Sequence, residues 1–93
     1  LSTKIINKVR VKNALGLHTR PATAIVKLLQ SSKSEVFFTC KSETINAKSI
    51  LSILMLAAKK NSLITISVEG EDAPETMNRL LVAFDGQFED RLS

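Results

Sequence analysis

Tryptophan and tyrosine are absent from the 93 residues, and cysteine and histidine occur once each, as Cys40 and His18. With one cysteine no internal disulfide can form. Its strand setting between Thr39 and Lys41 reads as an inert, reduced thiol, in keeping with a reducing compartment. With one histidine, no His/Cys/Asp/Glu ligand cluster and no Ser/His/Asp set, neither a metal site nor a self-contained catalyst has its parts, and no cofactor is implied. The basic residues are dispersed, the aromatic side chains that stack on bases are scarce, and no GXXG or RNP-like motif occurs, which argues against a nucleic-acid partner. The longest apolar stretch, Ile50 to Ala58, is interrupted by Ser52 and is too short to cross a bilayer, so membrane insertion is not expected. No signal peptide precedes the first strand, and a cytoplasmic location is the expectation. Leu1, where a Met would stand, points to a processed or trimmed start.

What is present is a globular balance: 44% hydrophobic and 24% charged residues, enough apolar content to exclude disorder. The length fits one small domain with one core, residues 1–93, without repeat, linker or low-complexity segment. Thirteen Lys and Arg against nine Asp and Glu leave a net charge of +4, which favours acidic partners through long-range attraction.

Hydrophobic periodicity divides the chain into seven elements. From Ile5 to Val11 the odd positions Ile5, Val9 and Val11 alternate with Lys8, Arg10 and Lys12, broken only by Asn7, which predicts a half-buried strand. After a loop containing Gly16, the residues Ala22, Ile25, Val26 and Leu29 follow helical spacing, with Pro21 in the first turn, where a missing N–H costs nothing. The Ser31–Ser34 cluster ends that helix. Glu35 to Cys40 reads as a second strand, Lys41 to Glu43 as a turn and Thr44 to Asn46 as a short third strand. Ser49 can cap a short helix through Leu56. Leu63 to Glu69 alternates again, with Ile64, Ile66 and Val68 on one face. Asp72-Ala73-Pro74-Glu75 resembles a capping box, Met77, Leu80, Leu81 and Phe84 form the buried stripe of a last helix, and Gly86 ends it. The order βαββαβα indicates an α+β chain, a sheet covered by helices on one side only.

Chemistry enters with Gly16-Leu17-His18-Thr19-Arg20-Pro21-Ala22. The only histidine stands at a helix start, where unpaired N–H groups and the positive end of the dipole favour an anion. Arg20 can offer a guanidinium fork to phosphate oxygens, Pro21 stiffens the first turn, and Gly16 frees the approach on the other side. A neutral imidazole nitrogen is nucleophilic near physiological pH, and a phosphoryl group held there is labile enough to pass on. Singly, each residue has an ordinary structural explanation: a capping or surface histidine, a turn glycine, a helix-starting proline. Their joint arrangement carries the functional reading.

This heptapeptide resembles the active-site signature of HPr, the histidine-containing phosphocarrier family of the bacterial phosphotransferase system. The likeness continues through Asn46-Ala47-Lys48-Ser49-Ile50, through Ile64 to Gly70 and into the last helix, covering nearly the whole chain. The resemblance implies an open-faced β-sandwich, a four-stranded antiparallel sheet with three helices on one face. It also implies a phosphorelay without turnover of its own: Enzyme I, charged by phosphoenolpyruvate, phosphorylates the histidine on Nδ1, and an EIIA domain receives the group. Carried onto this chain, His18 is the phosphoryl acceptor and Arg20 the stabilising arginine, with Gly16, Leu17, Thr19 and Pro21 forming the active-site loop.

A second region begins at Ser49. The segment Ile50, Leu51, Ile53, Leu54, Met55, Leu56 is apolar nearly all round, more than a short helix can bury, so part of it should face solvent as a protein contact, with Ile50, Leu51 and Leu54 as docking residues. Ser49 is at least a helix N-cap. In HPr proteins of many bacteria this serine is phosphorylated by HPr kinase/phosphorylase, and Lys48-Ser49-Ile50 resembles that site. A phosphate there would sit well on the helix N-terminus yet place negative charge on the docking surface.

Two features depart from the commonest sugar-transport pattern: Leu15 precedes Gly16 where many members carry a polar residue, and the tail from Phe84 to Asp90 is longer. Both are similar to NPr, the nitrogen-branch paralogue, whereas Lys48-Ser49 favours the HPr side. The alternatives are therefore a nitrogen-branch carrier, or a regulatory binding module with an idle His18. A monomer that docks transiently is the simplest expectation.

Overall fold

Three strands and a short fourth form because branched and aromatic side chains alternate with polar ones, so each strand buries one face only. The computed structural model describes residues 3–89, with β1 at Thr3–Arg10, α1 at Thr19–Leu29, β2 at Glu35–Cys40, β3 at Glu43–Asn46, α2 at Ile50–Leu56, β4 at Leu63–Gly70 and α3 at Ala73–Asp85. The strands make one antiparallel sheet in the order β1-β4-β2-β3. In the central strand Ile64, Ile66 and Val68 are fully buried, and the register sets Val68 between Ile5 and Val36 and Ile66 between Asn7 and Phe38. Asn7, the break in the β1 pattern, thus lies on the inner face with Ile5 and Val9. On the outer face Lys4, Ile6, Lys8 and Arg10 are exposed, so one side of the sheet stays open.

The helices cover the other side. Ile25 and Leu29 from α1, Ile53 from α2 and Leu80 from α3 are fully buried, and Phe84 meets Phe38 edge to face with ring centroids 5.7 Å apart. Full burial of each such side chain is worth roughly 1.5–3 kcal/mol, so the fold rests on this layer. Met77 and Phe84 are buried as the stripe requires, while Leu81 lies at its edge, partly exposed. Cys40 is buried, with a free thiol.

Two expectations need correction. Strand β3 begins one residue earlier, because Glu43 pairs with Cys40 across a two-residue turn in which Lys41 takes a positive φ of 58°. Asp72 stands at the N-cap of α3, but its side chain makes no cap bond and so no capping box forms. Its carboxylate instead accepts from Ser34 Oγ, from the Lys33 N–H at 2.9 Å and from Ser32 Oγ at 3.3 Å. These three donors, Ser34 first, hold the Asp72 carboxyl down at about 2. Gly86 ends α3 as expected, with φ −86°, and the chain continues in a further tight turn, Gln87–Glu89, in which all three residues have positive φ. Phe88 in that turn packs edge-on against Phe84 at 4.8 Å, a core contact that offsets the local strain. Of the longer tail, Asp90 lies outside the described residues.

Candidate functional site

The segment between β1 and α1 is anchored at both ends before it reaches the histidine. Asn13 is fully buried and donates from its amide nitrogen to the Gln87 carbonyl at 2.9 Å, while its own carbonyl accepts the Gly16 N–H at 2.9 Å. Four residues on, the Leu17 N–H donates to the Ala58 carbonyl at 2.9 Å, and the Leu17 side chain is buried in the core. Gly16 lies between these anchors at φ +69°, and a Cβ there would stand 2.3 Å from the Ala58 oxygen and 3.0 Å from Lys59 Cα. Gly16 is thus required by close backbone packing and by its left-handed conformation, and not only by access for an anion.

His18 emerges from this braced loop as the N-cap of α1, half-buried, with φ −77° and ψ −166°. Its carbonyl accepts the Ala22 N–H at 3.0 Å, but its side chain does not cap the helix. An α-helix leaves its first N–H groups without intrahelical acceptors. Pro21 has no N–H to leave. Among the described residues neither the Thr19 N–H nor the Arg20 N–H has an acceptor, so two donors remain at the positive end of α1, beside the imidazole. Thr19 and Arg20 are exposed, and no acidic residue occupies the first turn. Thr23 Oγ1 donates back to the Thr19 carbonyl at 2.8 Å, and buried Pro21 and Ala22 seat the turn on the core.

The sequence therefore places Gly16, Leu17, His18, Thr19, Arg20 and Pro21 in one continuous site. Sequence reasoning missed two contributors. Asn13 read as loop, and its burial depends on a carbonyl 74 positions away. Ala58 read as the end of an apolar run, and it supplies the carbonyl that holds Leu17. The groove of about 640 Å³ between α1 and α3 is lined by Ala24, Leu28, Arg79, Val82 and Phe88 among others, away from His18. His18 does not line that groove.

Ser49 is the N-cap of α2, where its hydroxyl accepts the Ser52 N–H at 3.2 Å. Ile53 and Leu56 turn into the core, and Ile50, Leu51, Leu54 and Met55 face outward, Leu51 and Met55 about two-thirds exposed or more at 65% and 71%. The expected apolar surface is there, and Met55 extends it. Leu15 is also exposed, three residues before His18. Lys48 donates from Nζ to the Ser32 carbonyl at 2.9 Å, tying the start of α2 to the end of α1. No group of three or more His, Cys, Asp or Glu comes together among the described residues, and no described helix is long and apolar enough to cross a membrane.

Comparison with known proteins gives a consistent result. The family model described as the PTS HPr component phosphorylation site matches residues 5–85. The phosphocarrier protein HPr of Chlamydia muridarum is 41% identical over 78 residues, 84% of this chain and 75% of that protein. Among solved structures, HPr-C-His from Thermoanaerobacter tengcongensis superposes with a TM-score of 0.89 at 28% identity, covering 94% of this chain and 98% of the other. An HPr dimer from the same organism superposes at 0.73 with 30% identity, covering 86% and 92%.

Proposed function

The chain belongs to the HPr family of the phosphotransferase system, and we propose from that premise that it accepts a phosphoryl group on His18 from Enzyme I and passes it to an EIIA domain, in the cytoplasm. The observation that carries this reading is the start of α1: a half-buried imidazole beside two backbone N–H groups without acceptors among the described residues, with the Arg20 guanidinium in the same turn and no acidic residue in that turn. An imidazole nitrogen attacks the phosphorus of the donor, the donor's P–N bond breaks, and the phosphoryl oxygens settle against the Thr19 and Arg20 N–H groups and the guanidinium. The next acceptor reverses the step. All catalytic demands beyond this fall on the partners, so the chain acts as a carrier and not as an enzyme.

The partners dock on the exposed apolar face of α2, through Ile50, Leu51 and Leu54, with Met55 at its edge. Ser49 opens that face. HPr kinase/phosphorylase would modify it, and a phosphate there keeps the helix cap satisfied while adding charge to the rim of the docking surface. The working form is a monomer that docks transiently.

A second reading, the nitrogen branch, is favoured by Leu15, which exposes 64% of its surface beside the histidine loop. One experiment tests both. The protein is incubated with phosphoenolpyruvate, Mg²⁺ and a purified Enzyme I of either branch, and its intact mass and acid lability are followed alongside His18→Ala. An acid-labile phosphate that vanishes in His18→Ala establishes the carrier, and the faster Enzyme I identifies the branch. No phosphate from either Enzyme I refutes the carrier role and leaves a regulatory module.

A further inference from the structure

Close packing of the histidine loop on the α2–β4 connection sets the backbone of a second basic residue, Lys59, against Gly16. A Cβ on Gly16 would lie 3.0 Å from Lys59 Cα, so the two backbones are in contact. His18 is two residues further on, at most ~7 Å of chain, a separation that an extended lysine side chain on one side and a phosphorylated imidazole on the other bridge together. The backbone that carries Lys59 is held in place. Its N–H donates to Ser62 Oγ at 3.1 Å, its carbonyl accepts the Ser62 N–H at 3.0 Å, the Asn61 N–H donates to the Val11 carbonyl at 2.7 Å, and the Val11 N–H donates to the Ser62 carbonyl at 3.0 Å. Other cations near the loop are engaged elsewhere: Lys12 pairs with Asp85 at 2.6 Å, and Arg10 donates from Nη1 to the Asn61 carbonyl at 2.9 Å. Lys59 is exposed and forms no ion pair among the described residues.

Resting on the reading of His18 as phosphoryl acceptor, we propose that Lys59 is a further phosphoryl-contact residue: its ammonium, with Arg20 and the α1 N–H groups, stabilises the dianionic phosphate on His18. Arg20 approaches from the helix and Lys59 from the loop on which Gly16 rests. The charged residues on the segments that flank this position in sequence are Arg10, Lys12, Arg20, Lys59 and Lys60, with Asp85 paired to Lys12. Only Lys59 has its backbone against the histidine loop. Gly16 then acts at a distance from its own position, because a bulkier residue there would push Lys59 away from His18.

The test needs no partner protein. The full chain is phosphorylated with phosphoramidate: the donor P–N bond breaks, a bond forms from phosphorus to an imidazole nitrogen, and the ring proton leaves with ammonia. As His18 is the only histidine, one phosphohistidine results. Its ³¹P resonance is titrated in the parent and in Lys59→Gln, Lys59→Arg and Lys60→Gln. A monocation about 6 Å from a phosphate in water lowers the phosphate's second pKa by about half a unit. Lys59→Gln should raise that pKa by about this amount, Lys59→Arg should restore the parent value, and Lys60→Gln should leave it unchanged. An unaltered titration in Lys59→Gln, or an equal shift in Lys60→Gln, overturns the proposal. Because the donor is a small molecule, that failure is distinct from failure of the carrier reading, which appears as no phosphate taken from Enzyme I.

Discussion

Two helix starts in this molecule are built on opposite plans. At α2 the N-cap is Ser49, whose hydroxyl accepts the Ser52 N–H, so the helix satisfies itself. At α1 the N-cap is His18, whose side chain makes no cap bond to the first turn, and the Thr19 and Arg20 N–H groups have no acceptor among the described residues. A serine cap is worth about 1 kcal/mol, so α1 forgoes stabilisation that α2 keeps. The difference fits the proposal that the α1 start receives an incoming anion. Its rigidity comes from outside the helix, through the Leu17–Ala58 bond, the Asn13–Gln87 bond and the seating of Gly16 on Ala58.

The strongest way to break this comparison is His18→Ala. It should abolish acid-labile phosphorylation by Enzyme I, read by intact mass, while changing unfolding free energy by no more than about 0.5 kcal/mol in a urea titration. A large loss of stability would mean that His18 is a structural cap after all. Next in size is Gly16→Ala, where a left-handed backbone and a 2.3 Å approach to the Ala58 oxygen leave no room for a methyl group. It should cost about 2 kcal/mol or more and slow phosphoryl transfer, because the bracing of the α1 start is what it disturbs.

The third helix start sharpens the contrast through pH. Asp72 has its carboxyl held at about 2, against 3.8 for an ordinary aspartate, by Ser34, Lys33 and Ser32. The unfolded chain therefore binds the Asp72 proton more readily than the folded one. The stabilisation is fully present above about pH 5 and is lost as pH falls through the window between 3.8 and about 2. Asp72→Asn should make the parent's fall in melting temperature across that window shallower; an unchanged slope would show that the Ser32–Ser34 contacts carry no linkage. The smallest effect is expected of Ser49→Ala, about 1 kcal/mol, or about 4–8 °C in melting temperature for a domain of this size. Phosphorylation of His18 should survive it, since the two helix starts are separate.

Much of this was legible from the residues. The alternation in β1, β2 and β4, the α1 spacing, the Ser49 cap and the boundary at Leu56 all depend on neighbours within one element, and local pattern reports local contacts. The inward turn of Ile53 and Leu56 and the outward turn of Ile50, Leu51, Leu54 and Met55 needed the packed neighbours of α2, because a helix apolar nearly all round does not announce its buried side. Asp72 misled for the same reason. Its spacing to Glu75 is that of a capping box, but Ser32, Lys33 and Ser34, about forty positions earlier, compete for the carboxylate and win with one donor each.

By itself the sequence determined the element order, the single histidine at a helix start, the arginine and proline beside it and the membership of a phosphocarrier family, because each depends on residue identity at short separation. Only the tertiary structure decided what holds the segment that carries that histidine in place. Asn13 meets Gln87, Leu17 meets Ala58 and Gly16 meets Lys59 across 74, 41 and 43 positions of chain, counted from their numbers. Contacts of that range follow from how the sheet and helices close on one another, and no local periodicity encodes them.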